Sequence, residues 1–129
     1  MTNPLTEARE AIAASLTGLG WNVYAGPRQQ VTTPAAVLVP GDPWSEPLTW
    51  SRTTVRWIAT LTAGQLDSAE SAYERLEQML WDAVAKLRAD GYAVDTVRAP
   101  RTQRFGQADL AAIDVAVRVQ VDDSVPAAD

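Results

Sequence analysis

Two stretches of this chain repeat apolar residues at helical spacing, and two others alternate them with polar residues. Leu5, Ala8, Ile12, Leu16 and Leu19 form the first helical stripe. Asn3 suits its N-cap and Pro4 the first helical position, while Glu7 and Glu10 complement the positive end of the helix dipole. Gly18 and Gly20 predict its end. The second stripe is longer: Ala69, Ala72, Tyr73, Leu76, Met79, Leu80, Ala83, Val84 and Leu87. Asp67-Ser68-Ala69-Glu70 opens it as an aspartate variant of the capping box, and Asp90-Gly91 closes it near residue 89. Asp82 and Lys86 stand at the spacing of an i,i+4 ion pair.

Alternation marks the strands. In residues 49–63, Val55, Trp57, Ala59 and Leu61 share one face; Trp50, Arg52, Thr54, Arg56 and Thr60 share the other, with Ile58 the exception there. In residues 110–121, Ile113, Val115, Val117, Val119 and Val121 oppose Asp114, Ala116, Arg118 and Gln120. Each pattern predicts a strand with one buried side. Shorter strands are expected at 21–25, 35–39 and 92–99. Residues 40–47 hold three prolines and read as a projecting loop. Residues 100–107 read as an arginine-containing loop.

The predicted order is α-β-β-β-α-β-β. Two amphipathic helices and two one-sided strands pack most economically as an α+β fold. The expected fold is a mainly antiparallel sheet of about five strands with both helices on one face. The opposite face is expected to be polar and available. Residues 1–121 form one domain in this reading, and 122–129 a polar C-terminal tail.

Composition narrows the chemistry. The 129 residues contain no His and no Cys. That removes the usual neutral-pH acid and base, the commonest metal ligand and all thiolate chemistry. The net charge of −5 argues against nonspecific nucleic-acid binding, which depends on cations that displace phosphate counterions. Gly18-Leu19-Gly20 follows a helix and precedes a strand, the reverse of a phosphate-binding loop. Ser and Thr are plentiful, yet only Lys86 or a carboxylate is left to activate one. No enzyme, cofactor or metal is expected. The N-terminus lacks the pattern of a signal peptide, and no stretch reaches the length of a membrane span. A soluble protein made in a cytoplasm is expected.

The remaining candidates are surfaces. Trp81 falls roughly 110° around its helix from the centre of the apolar stripe, on the face of Glu70, Glu74, Glu77 and Arg88. Trp44 in the proline-rich segment and Trp50 on the polar strand face are likewise large aromatics in exposed settings. Arg98, Arg101, Arg104 and Phe105 make a basic loop in an acidic chain. Its natural counterpart is the acidic Trp81 face of a neighbouring copy, because aromatic residues and arginine favour interface cores.

Three segments carry a resemblance that spans nearly the whole chain: LTEAREAIAASLTGLGWNVYAGP, TTVRWIATLTA leading to DSAESAYERLEQMLWDAV, and LAAIDVAVRVQV. In these, in size and in element order, the chain resembles tail terminator proteins of long-tailed, siphovirus-type bacteriophages of actinobacteria. The resemblance implies a ring, commonly a hexamer, at the head-proximal end of the virion tail. Such a ring caps the tube, stops its polymerisation and offers a head-to-tail joining surface. Implied partners are the chain itself, the major tail tube protein and a head-side neck or connector protein. The resemblance further implies that DNA passes through without specific binding, that no membrane is involved and that assembly takes place in the host cytoplasm. Two alternatives stand beside it: another neck or head-completion connector protein of the virion, and a small bacterial ligand-binding or regulatory domain.

Overall fold

A computed structural model of the chain describes residues 4–25, 34–47, 52–64, 69–105 and 108–122. Helix α1 spans Pro4–Thr17, and β1 (Asn22–Ala25), β2 (Ala35–Pro47) and β3 (Arg52–Gly64) follow. Helix α2 spans Ala69–Ala89; β4 (Ala93–Val97), β5 (Arg101–Phe105) and β6 (Ala108–Asp122) complete the chain. The six strands form one sheet in the order β1-β2-β3-β6-β4, with β5 also paired to β6. All pairs are antiparallel except β1 with β2, which is parallel.

Both helices lie on one sheet face, where the alternation puts the apolar side chains. Ala8, Ile12 and Leu16 of α1 and Leu76, Met79, Ala83 and Leu87 of α2 are buried against Val55, Trp57, Ala59, Leu61, Ile113, Val115 and Val117. Each of the larger ones contributes about 1.5–3 kcal/mol by leaving water. Tyr73 departs from the predicted stripe and is 48% exposed. It sits about 60° around the helix from Leu76, at the margin of the buried stripe.

Gly91 takes φ +92°. Its N–H donates to Arg88 O at 3.1 Å, and Tyr92 N–H to Leu87 O at 2.9 Å, which ends α2 at the predicted place. Lys86 pairs with Asp90 at 3.3 Å and not with Asp82, whose carboxylate accepts a hydrogen bond from Gln78 Nε2 at 2.9 Å. Asp90 also accepts from Ser15, so it ties the end of α2 to the end of α1.

The proline-rich segment is strand, not loop. Pro40 pairs with Trp57 and Pro47 with Thr53, while residues 41–44 bulge out opposite Arg56. β1 covers β2 only as far as Leu38, so residues 39–47 have no second neighbour among the described strands. Proline is tolerated on such an edge because no ladder requires its missing N–H there.

The arginine-containing loop is also partly strand. β5 continues the line of β4 along the same edge of β6, joined through Arg98 N–H, which donates to Asp114 O at 3.0 Å. β6 extends through Asp122, one residue into the predicted tail. Residues 123–129 lie outside the described ones.

The helix-free face is polar and open at one end only. At the other, Val37 and Leu110 are buried with Tyr24 and Val39 packed against them, and Thr60 and Thr62 are buried as well.

Candidate functional site: a charged cleft and an exposed tryptophan

Three strands and a bulge build a cleft of about 210 Å³ on the open end of the helix-free face. Ile58 of β3 and Ala116 of β6 are register partners and form its floor. Gly41 and Asp42, on the β2 bulge, make one wall; Thr96 and Arg98, where β4 runs toward β5, make the other. These walls stand three strand spacings apart, about 14 Å. Gly41 fits because its wall lies against β3. A Cβ there would sit 2.8 Å from the Arg56 Cβ.

Charge alternates around this floor. Arg56 and Arg118 are direct cross-strand partners, an arrangement that is repulsive by itself. Asp95 resolves it. A register shift between Val94 and Thr96 sets Asp95 apart as the extra residue of a β4 bulge. Its two carboxylate oxygens accept from Arg56 Nε at 3.2 Å and meet Arg118 Nε at 3.3 Å. Arg56 and Asp95 side chains are about four-fifths buried, so salt screens this pair less than a surface one. Asp114 is engaged too: Thr60 Oγ1 donates to it at 2.8 Å and Arg101 Nη2 lies 3.3 Å away.

That leaves Asp42 and Arg98 on opposing walls. Neither side chain has a hydrogen-bond or ion-pair partner among the described residues. Arg56 Nη1 is buried without a hydrogen-bond acceptor, its nearest carboxylate oxygen being Glu46 Oε2 at 4.0 Å.

The sequence-predicted surface residues divide. Trp81 is 73% exposed, the most exposed large hydrophobic among the described residues, with Glu74 and Glu77 exposed beside it on the outer side of α2. Trp44 is 42% exposed but has an in-chain neighbour: it meets Trp57 edge-on, ring centroids 5.4 Å apart. Arg9 lies over the same Trp57 ring at 5.9 Å. Arg98 and Arg101 stand near one another along the β4–β5 edge, but Arg101 is held by Asp114. Trp50 lies outside the described residues, as do the side chains of Glu70, Arg104 and Phe105.

Sequence reasoning missed Asp42, Arg56, Asp95, Asp114 and Arg118 as a group. Alternation alone puts Arg56, Asp114 and Arg118 on the polar faces of two long strands. The register that makes Arg56 and Arg118 neighbours, and the bulge that brings Asp95 between them, are invisible in it.

A second hollow, of about 260 Å³, lies beside α2. Trp21, Pro34, Ala63 and Met79 line it, with Arg75, Gln78 and Asp82. No group of three His, Cys, Asp or Glu able to hold a metal ion occurs among the described residues. No described helix is long and apolar enough to cross a membrane.

Fold and site together define a two-layer α+β unit, helices on one side and an ion-paired, cleft-bearing sheet face on the other. No protein-family model and no curated protein matches this chain.

Proposed function

We propose that this chain is a structural virion subunit, the tail terminator of a long-tailed bacteriophage. It assembles as a ring, sits on the head-proximal end of the tail tube, stops tube growth and presents the surface on which the head-side connector docks. It has no catalytic activity of its own. The observation that carries this reading is Trp81: a tryptophan 73% exposed on the outer side of α2, flanked by carboxylates. Large aromatics left so open are characteristic anchors of protein interfaces. A net charge of −5 suits a channel through which DNA slides without sticking.

The test is solution mass, measured with and without the major tail tube protein. A ring near six copies, or one that appears only on tube ends, supports the reading. The hollow beside Trp21 favours a second one, a small ligand-binding domain. A stable monomer indifferent to tube protein would select that alternative and refute the first.

A further inference from the structure

We propose that Trp81 of one copy inserts into the charged cleft of the next, an inference that rests on the ring reading. The two features occupy opposite sides of the subunit. Trp81 is on the outer side of the helix layer, and the cleft opens on the sheet face that the helices leave uncovered. They cannot meet within one chain. Between copies they meet front to back, the heterologous contact that closes into a ring when its rotation permits.

The chemistry of key and cleft agrees. A cleft of about 210 Å³ suits one large side chain rather than a loop or helix. Its floor, Ile58 and Ala116, is apolar, as the body of an indole requires. Arg98, which has no side-chain partner among the described residues, lines one wall where its guanidinium can stack on the ring. Asp42, equally without a partner, lines the other and accepts the indole N–H, a donor that usually finds an acceptor when buried. The other carboxylates around the floor, Asp95 and Asp114, already have arginine partners and do not repel the incoming face. Glu77, one helical turn before Trp81, then comes within reach of Arg98.

Because the chain contains no cysteine, the contact can be trapped. A Glu77→Cys/Arg98→Cys double variant, treated with a flexible bis-maleimide that spans the reach of the two replaced side chains, is expected to give a ladder of covalent multimers. Either single variant should give dimers at most. Trp81→Ala should weaken self-association about 30-fold or more while leaving the circular dichroism spectrum unchanged. Arg98→Glu and Glu77→Arg should each weaken it, more at low salt than at high, and the double swap should restore it.

If wild-type rings form but Trp81→Ala assembles equally well and no ladder appears, this contact is wrong and the ring reading stands. If the wild type stays monomeric even with tube ends present, both fall.

Discussion

Replacing Gly41 by alanine should destabilise the fold by a collision that no side-chain rotation relieves. The added Cβ would meet the Arg56 Cβ at 2.8 Å, its carbonyl oxygen at 3.0 Å and its carbonyl carbon at 3.1 Å. Those atoms belong to the centre of β3, which is laddered to β6 at Arg56 itself and to β2 at Val55 and Trp57 on either side of it, so the bulge itself must move. Overpacking of this kind costs about 1–3 kcal/mol. In urea, with a slope of about 2 kcal/mol/M for a small domain, a loss of about 2 kcal/mol lowers the unfolding midpoint by about 1 M. A second variant isolates the cause. Arg56→Ala keeps the Cβ and the backbone, so Gly41→Ala should cost as much in that background as in the wild type. The Gly41→Ala denaturation curve should also keep its slope, because only packing changes. A midpoint equal to that of the wild type would refute the reasoning. So would a cost that vanishes with Arg56→Ala, since the clash would then involve the guanidinium arm and not the strand.

Leu87→Ala should cost about 2–5 kcal/mol in the same assay, because its side chain is fully buried in the core shared by the helices and the sheet and its removal leaves a cavity there. An effect below 1 kcal/mol would contradict that packing. The Asp90 carboxyl is held below its ordinary 3.8 by the Ser15 hydroxyl first and by Lys86 second. Its folded value being depressed, the stabilisation is present above about pH 4 and is lost as pH falls through the folded value. The gap in urea midpoint between wild type and Asp90→Asn should therefore narrow in acid; a gap constant from pH 7 to pH 2 would exclude this role.

Much of the scaffold was legible because it rests on local periodicity. The apolar faces of both helices and of the two long strands follow from spacing alone, and Gly91 marked the end of α2 through its backbone. What was hidden depends on pairing. Residues 40–47 carry prolines that forbid a central strand, but whether a strand is central depends on how far β1 reaches, which no local pattern encodes. β5 was hidden because Arg101-Thr102-Gln103-Arg104-Phe105 offers no alternation; it is held by its hairpin with β6. The parallel pairing of β1 with β2 is equally nonlocal. Lys86 had carboxylates four residues to either side, and the hydrogen bond from Ser15 to Asp90, across 75 residues, accompanies the pairing with Asp90. The site followed the same division. Trp81 was readable as an outward aromatic from its angle on the helix, whereas the cleft needed the register of four strands.

The prolines of β2 reach beyond local geometry. Pro40, Pro43 and Pro47 remove three amide donors from a stretch of sheet border that no described strand covers, and the bulge buckles it. A passing strand from another molecule finds too few hydrogen-bonding groups to zip against, so open-ended stacking by backbone pairing is discouraged on that flank. On that flank side chains rather than bare backbone decide what the protein joins.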